Sequence, residues 1–157
     1  RDTASNLGQS KNNPLFIYGS TGLGKTHLMH AIAHEILKQG KRFFYFTSDK
    51  FVNQLVNSLR KQKIDEFKDK IKKADLLIID DIHVIAGKQK SSEQFLLLLN
   101  DFMSKNKQVV LASDRHPSAL TDFDERLKSR LAWGVSVALD PPELDTRIQI
   151  LQKIAKT

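Results

Sequence analysis

A glycine-rich segment of eight residues, GSTGLGKT at positions 19–26, limits the folds open to this chain more than any other feature. It matches the pattern G-x-x-x-x-G-K-[ST], and it lies between a short apolar run and an amphipathic stretch. Glycines let the backbone turn so that successive N–H groups point at phosphate oxygens, and a helix that begins there adds the positive end of its dipole. The segment therefore predicts a phosphate-binding loop (P-loop) between a strand and a helix, with its glycines at Gly19, Gly22 and Gly24.

Side chains suited to nucleotide chemistry lie in this loop and in a second motif. Lys25 is expected to reach the outer phosphates, and the Thr26 hydroxyl is expected to ligate Mg²⁺. The motif LLIIDD at residues 76–81 ends an apolar strand in two acids. Asp80 can hold the Mg²⁺ of a bound nucleotide, and Asp81 can polarise an attacking water. The paired acids favour hydrolysis over a small-molecule kinase, which also needs an acceptor site.

Short apolar runs alternate with longer amphipathic stretches along the chain. The apolar runs are rich in β-branched and aromatic residues and predict strands at residues 15–18, 42–47, 76–80, 108–113 and 134–139. Helical spacing covers residues 25–39, 49–61, 64–73 and 91–105. The residues suited to cap these helices are Ser48 or Asp49, Ser91 or Ser92, and Gly40. The alternation predicts an α/β fold, a parallel sheet with helices on both faces.

Composition and domain limits narrow the class of protein further. The chain has no cysteine, which excludes a disulfide-stapled secreted module and a zinc finger. Its longest apolar run, Phe95 to Leu99, is far shorter than the ~20 residues that span a bilayer. We therefore expect a cytoplasmic protein without a membrane span. Pro141 and Pro142 mark a boundary, so the predicted units are a polar N-terminal extension at 1–13, a nucleotide-binding domain at 14–141 and the start of a truncated helical lid at 142–157.

Further polar groups lie where a γ-phosphate sensor is expected. Asp114 follows the fourth predicted strand, and in open parallel sheets ligands bind beyond the carboxyl ends of the strands. Arg126 and Arg130 are four residues apart on a short predicted helix, so they share a face. Either they pair with neighbouring acids on the surface, or one acts as an arginine finger on a nucleotide, within the subunit or across a subunit contact.

Two other patterns leave alternatives open. His27, His30 and His34 share a helix face, but Ala31 replaces the glutamate of a zinc-binding H-E-x-x-H motif, so packing and surface polarity are favoured over a metal site. The formal net charge is +7, and residues 60–73 hold seven basic and three acidic side chains. Such lysines indicate either contact with the phosphates of a nucleic acid strand or an ordinary solvated surface.

Four stretches together resemble the AAA+ ATPase domain of the DnaA family of bacterial replication initiators. They are NPLFIYGSTGLGKTHLMHAI, LLIIDDIHVIAGKQ, ASDRHPSAL and DERLKSRLAWGVSVALDPPELDTRIQIL. The similarity covers nearly the whole chain from Asn13 onward, and the order SDR, RLKSR, WG, PPELDTR is more specific than the P-loop alone. It implies a three-layer P-loop AAA+ fold with a five-stranded parallel sheet in the order five-one-four-three-two.

The resemblance also implies roles for individual residues. The nucleotide would bind at Gly19, Gly22, Gly24, Lys25, Thr26 and His27, with Mg²⁺ at Thr26 and Asp80. The candidate catalytic residues are Asp81, the first sensor Asp114 and the finger Arg130, with Arg126 beside it. Most AAA+ members have Glu where Asp81 stands, and the shorter side chain is typical of a slow switch. Helices at residues 49–73 match the initiator-specific insertion, and the positions that contact single-stranded DNA are Val56, Lys88 and Lys90, the two lysines lying in the loop AGKQK.

The function implied is an ATP-dependent switch that assembles into an ATP-bridged filament and binds single-stranded origin DNA in the bacterial cytoplasm, associated with the nucleoid. ATP or ADP with Mg²⁺ would be the cofactors, and a replicative helicase or initiation regulators would be partners. The chain ends at Thr157, before the family's second sensor arginine, so weak nucleotide binding and poor hydrolysis are expected of it. The alternatives are a helicase loader and a nucleotide-regulated interaction module that does not hydrolyse ATP.

Overall fold

The computed structural model describes residues 13–19 and 24–139. Within these ranges the elements, in chain order, are β1 Leu15–Tyr18, α1 Lys25–Lys38, β2 Phe43–Thr47, α2 Ser48–Arg60, α3 Ile64–Lys72, β3 Leu76–Asp80, α4 Gln89–Ser104, β4 Gln108–Ser113, α5 Glu125–Trp133 and β5 Val135–Ala138. Residues 1–12, Gly22 and the predicted lid lie outside the described part of the chain. Of the helices described, none combines the length and apolar character needed to cross a bilayer.

The five strands form one parallel sheet in the order β2-β3-β4-β1-β5. This order confirms the expected arrangement. The register pairs Tyr18 of β1 with Ser113 of β4 and with Ala138 of β5, and it pairs Thr47 of β2 with Asp80 of β3. Because all strands run in one direction, their carboxyl ends meet at the same edge of the sheet.

Apolar side chains cover both faces of the sheet, which gives the predicted three layers. On one face, α1 packs over a cluster that includes Leu15, Ile17, Ile78 and Val110. On the other face, the cluster combines strand residues with residues of α2, α3, α4 and α5: Phe16, Leu77, Leu111, Phe51, Ile71, Phe95 and Leu127. Every residue of β3 and β4 is buried, which explains why their sequences are nearly continuously apolar.

The N-cap residues predicted for two helices, α2 and α4, are wrong. The N-cap of α2 is Thr47, whose side chain accepts a hydrogen bond from the Lys50 N–H at 3.4 Å. Ser48, predicted as a cap, instead donates its hydroxyl to the carbonyl of Asp80 at 3.0 Å.

Gly40 follows α1 with a φ of +76°, a conformation that suits glycine at the end of a helix.

The start of α4 differs from the sequence prediction in the same way. The helix begins at Gln89, two residues before the predicted caps, and Ser92 is buried with its hydroxyl donated to the carbonyl of Ile85 at 3.2 Å. Lys88 is the N-cap residue. Lys90, which was predicted to lie in a loop, therefore lies in the first turn of α4.

Asn13 anchors the chain just before β1 to the neighbouring strand β4. Its side chain is fully buried. The Oδ1 atom accepts a hydrogen bond from the Val109 N–H at 2.9 Å, and the Nδ2 atom donates to the Lys107 carbonyl. The residue that the sequence analysis assigned to the N-terminal extension is thus bonded to the sheet.

We expect Asn13→Ala to lower the free energy of unfolding by about 3 kcal/mol, because it leaves the buried Val109 N–H and the Lys107 carbonyl without their partners. Chemical denaturation measures this change. The matched control is Asn57→Ala on the exposed surface of α2, which should alter stability by no more than about 0.5 kcal/mol. Equal stability of the two variants would contradict the anchoring role of Asn13.

Candidate nucleotide-binding site

The carboxyl edge of the sheet gathers the ends of β1, β3 and β4. Gly19 directly follows β1, and its N–H donates to the carbonyl of Ser113, the last residue of β4, at 3.2 Å. Asp80 ends β3, the strand on the other side of β4. The first described part of the P-loop and one of the predicted acids are therefore brought to the same edge.

Steric and conformational limits require glycine at both described ends of the P-loop. A Cβ atom on Gly19 would lie 2.3 Å from the carbonyl oxygen of Leu139, too close for any side chain. Gly24 has a φ of +87° and is the N-cap residue of α1, a left-handed conformation that glycine adopts without strain. Both predicted glycines are thus explained by the backbone, and Gly22 lies between them in the part of the loop that is not described.

Lys25 is the first residue of α1, and its side chain reaches the residue that follows β1. The residue is 7% exposed, and its Nζ donates to the Gly19 carbonyl at 2.6 Å. The ammonium group is therefore held at the N-terminus of a helix, where the helix dipole adds positive charge for an anionic ligand. His27, predicted to contact nucleotide, is exposed in the first turn of the same helix.

Thr26 and Asp80 form the central contact of the site. The Thr26 hydroxyl donates to Oδ2 of Asp80 at 2.7 Å, and Asp80 is 4% exposed. No described residue donates a hydrogen bond to the other carboxylate oxygen, Oδ1. A hydroxyl beside a carboxylate with one open oxygen is a ligand set that Mg²⁺ accepts in nucleotide sites. These residues therefore fit the ion that the sequence predicts.

Two further residues hold Asp80, and the sequence analysis missed both. The Tyr45 hydroxyl donates to Oδ2 at 3.1 Å, and the Ser48 hydroxyl donates to the backbone carbonyl. Burial of the phenol, and next the charge of Asp80, raise the pKa of Tyr45 far above its usual value, so this hydroxyl keeps its proton and remains a donor. The period-two pattern of β2 could have placed Tyr45 on the α1 face, but only the pairing of β2 with β3 brings it to Asp80.

Asp81 differs from Asp80 in both backbone and surroundings. It has a φ of +58° and a ψ of +48°, which turns the chain away from the strand direction, and the residue is exposed. Partial desolvation of its carboxyl group, and next the charge of Asp80, raise the pKa of Asp81 above the usual value. The two acids of the motif therefore do not play equivalent structural roles.

Asp114, the predicted sensor, is held by the next residue along the chain, Arg115, which was also expected at the sensor position. Arg115 donates from Nε to Oδ1 at 2.7 Å and from Nη2 to Oδ2 at 2.9 Å. His83 approaches the same carboxylate, with Nδ1 3.4 Å from Oδ1. The hydrogen bonds from Arg115 hold the pKa of Asp114 below its usual value. The negative charge of Asp114 in turn contributes to the raised pKa of Asp81, so these two acids belong to one cluster.

The two arginines of α5 have different surroundings, and neither joins this cluster. Arg126 pairs with Asp124, its Nη2 3.0 Å from Oδ2, so the surface pairing considered from the sequence is confirmed for Arg126. Arg130 is exposed and has no ion pair with any residue that the structure describes. It lines a groove of about 520 Å³ between α4 and α5, together with Leu97 and Asn100. No described P-loop residue lines this groove.

The predicted DNA-contacting residues lie on the surface of α2 and at the start of α4. Val56 is 40% exposed on α2, and Lys88 and Lys90 are exposed at the start of α4. α2 contacts the short 3₁₀ turn at Ile82–Ile85 that connects Asp81 to this lysine pair. The turn thus joins the acidic motif to the candidate DNA surface.

Part of the basic segment at residues 60–73 serves to hold α3 against α4. Lys68 donates to Oε1 of Gln94 at 3.1 Å, and Lys72 forms an ion pair with Asp101 at 3.0 Å. These two lysines are therefore engaged within the molecule. The charge of the segment cannot be assigned as a whole to a polyanionic partner.

Comparison with known proteins identifies the family. The family model described as the bacterial DnaA ATPase domain matches residues 1–138. The chromosomal replication initiator protein DnaA of Acinetobacter baumannii is 48% identical over 158 residues, which cover 99% of this chain and 34% of that protein. The chain thus spans about a third of the length of such relatives.

Solved structures of DnaA proteins are similar to this chain in both fold and sequence. A structure described as replication initiator DnaA bound to AMPPCP and single-stranded DNA superposes with a TM-score of 0.83 at 40% identity, covering 88% of this chain and 43% of that one. Domain III of DnaA from Thermotoga maritima gives a TM-score of 0.84 at 40% identity, covering 96% of this chain and 63% of that one.

The runner-up class is less similar. The DnaC helicase loader superposes with a TM-score of 0.72 at 17% identity, covering 85% of this chain and 81% of that one, and so shares the fold alone. The family model and the 48% identical relative both point to the initiators instead. The chain therefore belongs to the DnaA family of bacterial replication initiators.

Proposed function

We propose that this chain is the ATP-binding switch domain of a bacterial replication initiator. The initiator would self-assemble when it binds ATP and would bind one strand of origin DNA. The observation that carries the proposal is the contact between Thr26 and Asp80 at the carboxyl edge of the sheet, directly behind a P-loop. The relative solved with AMPPCP and single-stranded DNA supports both ligands. We further propose a cytoplasmic, nucleoid-associated location and a replicative helicase or initiation regulators as partners.

The proposed ligand is ATP or ADP with Mg²⁺. Backbone N–H groups of the P-loop would bind the phosphates, with Lys25 at the outer ones. Thr26 and Asp80 would hold the metal ion, which when bound supplies positive charge against the phosphates. His27, exposed near the loop, would contact the nucleotide at its edge.

The proposed hydrolysis is slow and depends on two acids whose pKa values are shifted in opposite directions. Asp81, whose pKa is raised, is the better proton acceptor and would polarise the attacking water. Asp114, whose pKa is lowered, would remain an anion that orients it. The short side chain of Asp81 favours a switch that persists in its ATP state.

A second candidate function is a nucleotide-regulated module that does not hydrolyse ATP. Arg115 donates a hydrogen bond to each carboxylate oxygen of Asp114, which favours this alternative because fewer acceptor sites of the sensor remain to orient water. Measurement of phosphate release from ATP distinguishes the two: release above the uncatalysed rate supports the slow ATPase.

We expect Lys25→Ala to weaken binding of a fluorescent ATP analogue to the full-length protein by at least tenfold, because a charge-assisted contact with the phosphates is lost. Titration by fluorescence anisotropy measures the affinity. The control is Lys38→Ala at the other end of α1, where the lysine is exposed and pairs with Glu35 at 3.7 Å; its affinity should equal the wild type. An unchanged affinity for Lys25→Ala would refute the P-loop assignment.

We expect Arg130→Ala to retain ATP binding yet lose ATP-dependent assembly, because the exposed guanidinium lines a groove without any described P-loop residue and would reach the nucleotide of a neighbour. Sedimentation velocity with ATP and with ADP measures the assembly. Lys128→Ala on the same helix serves as the control and should assemble normally. If Arg130→Ala still assembles with ATP, the proposed role across the subunit contact is wrong.

We expect the double variant Lys88→Ala, Lys90→Ala to bind single-stranded DNA more weakly and to reduce the slope of log K against log salt by about 1.4, since each lost phosphate contact removes about 0.7. Binding isotherms at several salt concentrations measure this slope. The control is Lys41→Ala with Lys105→Ala, two exposed lysines that precede β2 and β4, and its affinity and salt slope should equal the wild type. An equal loss of affinity for duplex DNA would indicate a non-specific basic patch.

A further inference from the structure

The hydroxyl of Tyr45 is a polar group near the nucleotide site to which the function proposed above gives no role. It donates to Oδ2 of Asp80 at 3.1 Å, and the same oxygen accepts from Thr26 at 2.7 Å. The contact follows from the sheet register. Thr47 pairs with Asp80 across β2 and β3, and Tyr45, two residues earlier, lies on the same face of β2 and reaches along the strand to the carboxylate.

Two donors on one oxygen fix the rotation of the Asp80 carboxylate. The last torsion of an aspartate side chain is broad, so a single hydrogen bond leaves the group free to turn. Here the donors come from α1 and from β2, two elements that approach Asp80 from different directions. With Oδ2 engaged twice, Oδ1 is the oxygen without a donor among the described residues, and it is the one that can meet a cation.

The Tyr45 ring is itself held in place by α1. The His30 ring contacts it edge-on, with centroids 4.8 Å apart and an interplanar angle of 78°. α1 therefore supports Asp80 twice, through Thr26 directly and through His30 and Tyr45 indirectly. The three elements α1, β2 and β3 form a closed set of contacts around one carboxylate.

We propose that Tyr45 is a positioning residue for the magnesium site, acting through the orientation of Asp80. The inference rests on the proposed function, since it assumes that Thr26 and Asp80 hold the ion of a bound nucleotide. Tyr45 would set the affinity for Mg²⁺ and leave the metal-free affinity for nucleotide unchanged, because the side chains that its hydroxyl contacts, Asp80 and Thr26, are the two proposed ligands of the ion.

The test uses Tyr45→Phe in the full-length protein, which removes the hydroxyl and keeps the ring. A fluorescent ATP analogue is bound first in EDTA and then with increasing MgCl₂. We expect the half-saturating Mg²⁺ concentration to rise about tenfold, as is usual when a partner of a metal ligand is removed, with the affinity in EDTA unchanged. A half-saturating concentration equal to wild type, or an equal loss of affinity in EDTA, would overturn the inference.

Two further variants separate this inference from the proposed function. Tyr18→Phe removes the other tyrosine hydroxyl of the chain, which makes no hydrogen bond within the described residues, and it should behave as wild type. Asp80→Asn should abolish the Mg²⁺ dependence. If Asp80→Asn does so and Tyr45→Phe does not change it, only the role of Tyr45 fails. If neither variant alters the Mg²⁺ dependence, the metal site itself is wrong and the inference fails with it.

Discussion

Parallel pairing of β1, β4 and β3 is the constraint on which the candidate site depends. The residues that follow these strands come from distant parts of the chain, and only a common strand direction brings their ends to one edge. Thr26 and Asp80 lie 54 residues apart in sequence, yet their side chains are 2.7 Å apart. That distance is maintained because β3 is buried on both faces, so the core packing of Leu77 and Ile78 fixes where the carboxylate can lie.

Three aspartates at the carboxyl edge of the sheet differ in their burial and in their pKa values. Asp80 is buried and accepts hydrogen bonds from Thr26 and Tyr45. Asp81 has a raised pKa because of partial desolvation and the charge of Asp80, and Asp114 has a lowered pKa because of Arg115. Neighbouring groups therefore give three aspartates at one edge of the sheet different burial and different pKa values.

The sequence predicted the features that depend on residues close together in the chain, and it did not predict those that depend on residues far apart. The P-loop spacing and the alternation of strands and helices are local patterns, and both correspond to the structure. The sheet order was expected from the family resemblance, since periodicity contains no information about which strands pair. The N-caps of α2 and α4 were predicted wrongly at Ser48 and Ser91 because a cap assignment considers chain neighbours only. The hydroxyl of Ser48 has a distant partner, the carbonyl of Asp80, which no local rule can anticipate.

Ion pairs within the molecule also limit what the net charge can predict about binding partners. The sequence gives the number of basic side chains, but the fold decides which of them remain unpaired. Lys72 is engaged by Asp101 and Arg126 by Asp124, whereas Arg130, Lys88 and Lys90 are exposed without an ion pair among the described residues. Such surface pairs contribute little to stability. They do show which cations the fold engages, so that among the described residues Arg130 on α5 and the Lys88 and Lys90 pair at the start of α4 remain as exposed charges at two separate places.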